Sequence, residues 1–282
     1  MFKLDRRRKY YLVLDCETAT LPCAHKYTEN EKKAVCIAKP LIYDLGWTII
    51  DRKGNIYKKA NYLIAETFSV PSVFDTAYYA EKRPIYLDMV ARGELTITTW
   101  KQAVAEMEAD MEACVAVGAY NSMFDFKKAI PFTELYINQL YSPSFHSWLA
   151  FQEEVCDEIA QGRRKQNERE FEKDIFRFRG KAFPLYDIWG LACKYLLDCD
   201  EYREMCKENS WYSASGKYFK TSAEMAFRFV RNDFDFDEAH TALSDAEIES
   251  EILAQIIGKD LKKFEVGIMY FPFRMVGKVE EM

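Results

Sequence analysis

Four acidic residues lie at places where the sequence otherwise predicts buried structure. They are Asp15 and Glu17 at the end of an apolar strand, Asp125 just after a later strand, and Asp245 in the apolar sector of a helix. Carboxylates that converge in a buried place repel one another unless protons or cations neutralise them. Ligands that are all oxygen select hard ions such as Mg²⁺ or Mn²⁺. The sequence therefore predicts an acidic site shared by two divalent cations at the edge of a sheet.

A histidine lies close to the last of these acids. Asp245 falls in the same helical sector as Ile248 and Ile252, so we expect it to point at the core. A capping signal at Ser244 places His240 on the loop before the helix, where its ring can face the same pocket. Two divalent ions about 3.5 to 4 Å apart favour in-line displacement at phosphorus, and the attacking water must lose a proton. We therefore predict that His240 is the general base.

The strands that must position these groups begin with an antiparallel unit. Residues 9–15 predict a first strand, and residues 41–50 and 56–65 predict a long hairpin beside it. A short strand at 117–120 and a strand that turns into a helix at 183–197 follow. We expect an α/β fold whose mixed sheet has three antiparallel strands followed by parallel ones.

Helices are predicted on the faces of this sheet. Residues 98–117 carry apolar residues at helical spacing behind a capping box that opens at Thr99, and residues 244–257 do so behind one that opens at Ser244. Residues 147–182 are polar and helix-prone.

Composition limits the classes of protein that fit. Apolar runs of about half a dozen residues are far shorter than a membrane span of about 20 residues, and no secretory signal precedes them, so we expect a soluble cytoplasmic protein that does not bind membranes. The eight cysteines lack zinc-knuckle spacing and are expected to stay reduced. The net charge of −6 gives no overall basic field. Basic clusters at 6–9 and 163–181 are either solvated faces or phosphate-contacting edges.

Three segments resemble the motifs of a known family. They are Asp15-Cys16-Glu17-Thr18, the run NSMFD at 121–125, and the run HTALSD at 240–245. Together they resemble the DxET, NxxFD and HxAxxD motifs of the DEDDh, or DnaQ-like, 3′-to-5′ exonucleases of the RNase H-like superfamily. Each motif alone is weak, whereas all three in order are specific. Thr241 stands where the tyrosine-type members would carry Tyr.

The resemblance implies a fold and a chemistry. It implies an RNase H-like fold over residues 1–282, elaborated by insertions at 66–98 and 147–182, and it is reminiscent of phage-encoded members. It implies two-metal hydrolysis with Mg²⁺ or Mn²⁺ and release of nucleoside 5′-monophosphates from a free 3′ end. Its metal ligands would be Asp15, Glu17, Asp125 and Asp245, with His240 as the base.

Four further residues are candidates for contact with substrate. Thr18 could offer its backbone to the 3′ hydroxyl and Leu21 could wedge against the last base, although residues 19–21 depart from the family's usual Thr-Gly-Leu run. Asn121 either satisfies a turn or binds substrate, and Phe124 is either core or a stacking platform.

Three functions remain open on the sequence alone. The first is a DNA exonuclease in proofreading or repair, and the second is an RNA exonuclease with the same chemistry. The third is a non-catalytic nucleic-acid-binding or polymerase-docking module, which predicts a lost ligand that this chain does not show. An acidic chain with modest basic patches also suggests a replication or repair protein that delivers the substrate. The insertions are where substrate choice or a partner interface would be encoded.

Overall fold

The secondary structure alternates strands and helices along the chain. A computed structural model describes residues 9–163, 172–259 and 266–279. The strands are β1 (Tyr10–Thr20), β2 (Pro40–Asp51), β3 (Ile56–Ile64), β4 (Thr96–Thr98), β5 (Ala116–Ala119), β6 (Ile175–Phe178) and β7 (Lys181–Asp187). The helices are α1 (Glu29–Ala38), α2 (Ala65–Phe68), α3 (Pro71–Phe74), α4 (Arg83–Ala91), α5 (Trp100–Ala113), α6 (Ser122–Phe124), α7 (Ile130–Leu140), α8 (Phe145–Ala160), α9 (Ile188–Ala192), α10 (Asp200–Glu208), α11 (Ala223–Arg231), α12 (Ala242–Lys259) and α13 (Phe273–Val276).

The strands form a seven-stranded mixed sheet in the order β4-β3-β2-β1-β5-β7-β6. The strands β1, β2 and β3 pair antiparallel, as the sequence predicts. The strand β5 then pairs parallel with β1, and β7 pairs parallel with β5. The expectation of an α/β fold with a mixed sheet flanked by helices is confirmed.

Alternation along β1 decides which face carries the acids. Leu12 and Leu14 belong to one apolar cluster, whereas Tyr11 and Val13 belong to a second cluster on the opposite face. The second cluster includes the buried isoleucines of α12. Odd-numbered residues of β1 therefore face α12, and the side chain of Asp15 points toward that helix.

A glycine lets α12 begin directly on the sheet. A Cβ on Gly46 of β2 would lie 2.3 Å from the backbone nitrogen of Leu243, so only glycine leaves room for this close approach. Next to it, the fully buried Asp44 accepts a hydrogen bond at 3.0 Å from the backbone N–H of Ala242, the first residue of α12. The start of α12 is thereby fixed against β2, beside the paired strand β1.

Two predicted boundaries at this place are wrong. The strand β1 continues to Thr20, so Asp15 and Glu17 lie within the strand and not at its end. The helix α12 begins at Ala242, and Thr241 donates its backbone N–H and its hydroxyl to the hydroxyl of Ser244. Ser244 is thus in the first turn, because the helix begins two residues after His240.

The remaining predicted elements agree in part. The capping box at Thr99 is present at the start of α5, and the strand-to-helix segment corresponds to β7 and α9. The polar segment 147–182 is not helical throughout, since its second part contains β6, which pairs antiparallel with β7. Segment 66–98 folds as α2, α3 and α4 and adds β4 to the edge of β3.

Some predictions concern residues beyond those described. Arg6, Arg7, Arg8 and the stretch 164–171 lie outside the described residues, so the basic clusters are placed only in part. All eight cysteines are free thiols, as expected. Within the described ranges, no helix has the length and apolar character needed to cross a membrane.

Candidate active site

The two acids of β1 are aimed by their pairing with β2. Asp15 is opposite Gly46, and Glu17 is opposite Asp44. The register then shifts between Glu17 and Thr18, which indicates a β-bulge. Bulges bend a strand and re-aim its side chains, and they are frequent beside active sites. The bulge turns the strand immediately after the second acid.

Glu17, His240 and Asp245 come together as a tight group. One ligand atom from each of the three lies within 4.8 Å of the others. The distance from His240 Nδ1 to Asp245 Oδ2 is 3.8 Å. Glu17 is more than 200 residues away in sequence from His240 and Asp245, and the fixed start of α12 against the sheet brings them together.

Asp125 lies beside this group and not within it. It begins a π-helical turn, Asp125–Ala129, just after α6, and its side chain is buried. Its Oδ1 accepts a hydrogen bond at 3.0 Å from the thiol of Cys16. The sequence predicts that Asp125 binds the metal ions together with the other three acids. In the structure, one of its two carboxylate oxygens is hydrogen-bonded to the Cys16 side chain of β1.

The acids interact strongly with one another. The pKa of Asp15 is raised well above its usual value by burial and by the charges of Glu249, Asp125, Glu17 and Asp245. The pKa of Glu17 is likewise raised well above its usual value, first by burial and then by the charge of Asp245.

Burial also raises the pKa values of the other two acids. The pKa of Asp125 rises to about 7, and that of Asp245 rises to about 6. Hydrogen bonds from Cys16 and Ser244, respectively, oppose this rise because they favour the charged carboxylate. The cluster thus holds its negative charge at neutral pH only against a large desolvation cost.

The ring of His240 is held by residues from segment 66–98. Tyr79 stacks on it with ring centroids 4.8 Å apart and an angle of 17° between the planes. Lys82 lies over the Tyr79 ring and donates a hydrogen bond at 2.8 Å to the backbone oxygen of Ala239. His240 adopts φ +51°, a left-handed conformation that such contacts must maintain. The ring therefore has a fixed position over the acids.

The protonation of His240 suits a base. Burial lowers its pKa below the usual value, and the charge of Lys82 lowers it further. A lowered pKa leaves the imidazole neutral at pH 7, so a ring nitrogen can accept a proton.

Four more acids surround the site, and the sequence analysis missed them. Glu249, one turn after Asp245, is buried and accepts a hydrogen bond at 3.0 Å from the backbone N–H of Tyr120. The others are Asp44, Glu238 and Asp187. Burial raises the pKa of each of these three to about 7. Glu249 was detectable in the sequence, since it stands four residues after Asp245 and shares its helix face.

The four residues predicted to contact substrate have different environments. Leu21 is fully buried in the apolar core, which corrects its predicted contact with a terminal base, since β1 carries the chain past the site into the core. Thr18 is half-buried after the bulge. Asn121 is exposed, and its backbone oxygen accepts from the N–H groups of Phe124 and Asp125, which agrees with a turn. Phe124 is half-buried and packs on the core.

The donor set of the site fits hard divalent cations. The carboxylates of Glu17 and Asp245 lie together, and Asp15 interacts with both through its charge. Among the described residues, Lys82 is the basic residue whose charge lowers the pKa values of both Glu17 and Asp245. Carboxylate oxygens that repel one another are the ligands that Mg²⁺ and Mn²⁺ prefer. Asp15, Glu17 and Asp245 would hold such ions, with Asp125 as the neighbouring ligand.

Comparisons of this chain with protein-family models, with curated proteins and with solved structures find no match.

Proposed function

We propose that this chain is a metal-dependent 3′-to-5′ exonuclease with an RNase H-like fold. The proposed substrate is nucleic acid with a free 3′ end, with DNA as the expected form, and the products are nucleoside 5′-monophosphates. The sheet supports the fold assignment, because three antiparallel strands are followed by parallel β5 and β7. The three motif segments, which lie far apart in sequence, also contribute side chains to one region of this sheet.

One observation carries the proposal. Glu17 and Asp245 have ligand atoms within 4.8 Å of each other and of the His240 ring. Asp15 interacts electrostatically with both of these acids and with Asp125. A base beside a cluster of mutually repelling acids is suited to hydrolysis at phosphorus and has little use in a purely structural site.

Each residue has a distinct role in the proposed reaction. When bound, two Mg²⁺ or Mn²⁺ ions would activate the attacking water and stabilise the leaving 3′ oxygen. Asp15, Glu17 and Asp245 would hold these ions. His240 accepts the proton of the attacking water on a ring nitrogen, and Tyr79 keeps that ring in place.

Product analysis tests this function. The purified chain is incubated with 5′-labelled single-stranded DNA, duplex DNA and RNA, each with Mg²⁺, Mn²⁺ or EDTA. We expect stepwise shortening from the 3′ end and release of nucleoside 5′-monophosphates, with none in EDTA. Asp15→Asn should abolish the reaction, and Asp75→Asn, at an exposed aspartate, should not change it. Hydrolysis by Asp15→Asn at the wild-type rate would exclude this acid as a metal ligand.

The base has its own test. His240→Ala should lower the rate of the chemical step by roughly 10² to 10⁴ while metal binding persists. A variant that loses metal binding but keeps single-turnover chemistry with excess metal would make His240 a ligand and not the base.

A further inference from the structure

An aromatic cleft lies next to the candidate active site. It has a volume of about 510 Å³, within the range of about 300 to 1,000 Å³ that is typical of ligand pockets. Its walls come from the end of β5, from α9, from residues 213–223 and from α13. Three half-exposed aromatic side chains line it, those of Trp189, Tyr218 and Phe273. None of these belongs to the acidic cluster.

The rings of the cleft are held in fixed positions. The indole N–H of Trp189 donates a hydrogen bond at 2.9 Å to the hydroxyl of Thr221. Trp189 stacks near Phe273, with centroids 6.1 Å apart and planes inclined by 24°. Tyr218 meets Phe273 edge to face at 4.8 Å. The cleft therefore presents rigid ring faces and edges that lose little entropy when a flat ligand packs against them.

Polar groups accompany the rings. Lys220 is about half-exposed and has a long contact of 3.8 Å with Glu224, so its ammonium group remains accessible to an anion. The hydroxyls of Ser213 and Ser215 lie 3.2 Å apart in the cleft lining. The hydroxyl of Ser222 is buried and has no hydrogen-bond partner among the residues that the structure describes. Flat rings beside a cation and hydroxyl groups match a ligand that combines bases with phosphates.

The cleft shares walls with the candidate active site. Tyr120 and Asn121 line it, and the same segment leads within four residues to Asp125. The backbone N–H of Tyr120 donates to Glu249 on α12. Lys220, which also lines the cleft, acts through its charge on Glu238. A strand bound at the acids would therefore continue along the wall at Asn121 into the aromatic cleft.

A second link joins the cleft to the proposed base. The carboxylate of Glu238 lies 3.5 Å from Nδ1 of His240. Glu238 is thus next to the base on one side and within electrostatic reach of the cation of the cleft on the other. Glu238 therefore connects the surroundings of the proposed base with those of the aromatic cleft.

We propose that this cleft binds unpaired bases of a single-stranded 3′ end, upstream of the phosphate that is hydrolysed. In a duplex, the bases upstream of the terminal pair are covered on both faces by neighbouring pairs, so they cannot stack on Trp189, Tyr218 or Phe273 without unpairing. The cleft therefore selects single-stranded substrate. This inference rests on the proposed function, since it names the substrate class of that site.

Binding of modified oligonucleotides tests the inference without any hydrolysis. Fluorescence anisotropy in EDTA compares a 5′-labelled single strand, the same strand with abasic sites near its 3′ end, and a blunt duplex. Stacking is worth about 1 to 3 kcal/mol per base, so loss of stacked bases should weaken Kd by roughly 5-fold to 150-fold. We expect this loss for the abasic strand and a similarly weak affinity for the duplex.

Variants identify the surface. Tyr218→Ala and Phe273→Leu should each weaken binding of the normal strand and leave binding of the abasic strand unchanged. Tyr141→Ala, at an exposed tyrosine outside the cleft lining, is the matched control and should behave as wild type. Circular dichroism shows whether each variant folds, and Tyr218→Phe, which keeps the ring, should restore affinity.

The outcomes separate the two proposals. Equal affinity for normal and abasic strands, or for duplex, overturns the role of the cleft even if hydrolysis is observed. Selective binding of unpaired bases without hydrolysis under any metal condition supports the cleft and contradicts the exonuclease.

Discussion

Removal of one charge from the acidic cluster should stabilise the metal-free protein. Asp245 is the best position for this change because its side chain is buried and Asn can still accept the hydrogen bond that Ser244 donates at 3.0 Å. Burial raises the pKa of Asp245 from its usual 3.8 to about 6, and the folded protein therefore has an unfavourable free energy when this group is charged at pH 7. The change in pKa corresponds to an upper limit of about 3 kcal/mol. In a chain of this length such a gain raises Tm by roughly 6 to 12 °C.

The sign of the pH dependence follows from the same pKa values. Asp245 and Asp125 have pKa values of about 6 and about 7 in the folded protein, above the usual 3.8. Between these limits the folded state binds more protons than the unfolded state, so stability decreases as the pH rises from about 4 to about 7. The destabilisation is fully present above the folded pKa values and disappears below the unfolded ones.

The assay is thermal or urea unfolding in EDTA at pH 5 and pH 7.5. We expect Asp245→Asn to be more stable than wild type at pH 7.5, and to lose about half of this advantage at pH 5, since pH 5 lies between the usual pKa of 3.8 and the folded value of about 6. Asp75→Asn, at an exposed aspartate, provides the control. Equal stability of Asp245→Asn and wild type at pH 7.5, with the same pH dependence, would refute the electrostatic reasoning.

Three further substitutions test the packing around the site. Gly46→Ala should lower the free energy of unfolding by at least about 1 to 3 kcal/mol in urea titrations, because its Cβ would meet α12 backbone at 2.3 Å; no loss would contradict this contact. Tyr79→Ala should lower kcat with little change in KM, since the stacked ring positions His240, and Tyr79→Phe should retain activity; equal loss in both would assign the effect to the hydroxyl. Glu249→Gln keeps a hydrogen-bond acceptor for the backbone N–H of Tyr120 and removes a charge, so it should preserve activity and stabilise the metal-free protein at pH 7.5. Glu249→Leu removes the acceptor and should reduce activity. Identical behaviour of the two variants would show that this hydrogen bond does not matter.

The sequence could predict the layout of the sheet because local patterns determine it. Hydrophobic alternation and the turn at 51–55 identify the hairpin of β2 and β3, and the apolar stripe identifies α12. His240 lies on the loop before α12 as predicted, although the helix begins at Ala242 and Ser244, the residue expected to cap it, lies in its first turn. The end of β1 was not, because its extra length depends on pairing with β2 and on a bulge that only the partner strand defines.

Long-range contacts explain what the sequence missed at the site. Tyr79 reaches His240 from a segment more than 150 residues away, and nothing in the local pattern of 66–98 indicates this. Leu21 was placed at the substrate by analogy with a motif, whereas burial in the core follows from the extension of β1. The direction of Asp125 toward Cys16 depends on the π-helical turn, which has no simple sequence signature.

Binding of Mn²⁺, followed by electron paramagnetic resonance at pH 7.5, tests the central claim most directly. If the acids form a cation site, wild type binds Mn²⁺ at pH 7.5 and binds it more weakly at pH 5, because protons compete with the cation for Asp15 and Asp245, whose pKa values are raised. Asp15→Asn and Asp245→Asn should lose most of this binding, and Asp75→Asn should bind as wild type does. Mn²⁺ isotherms that are the same for all four proteins would contradict the account.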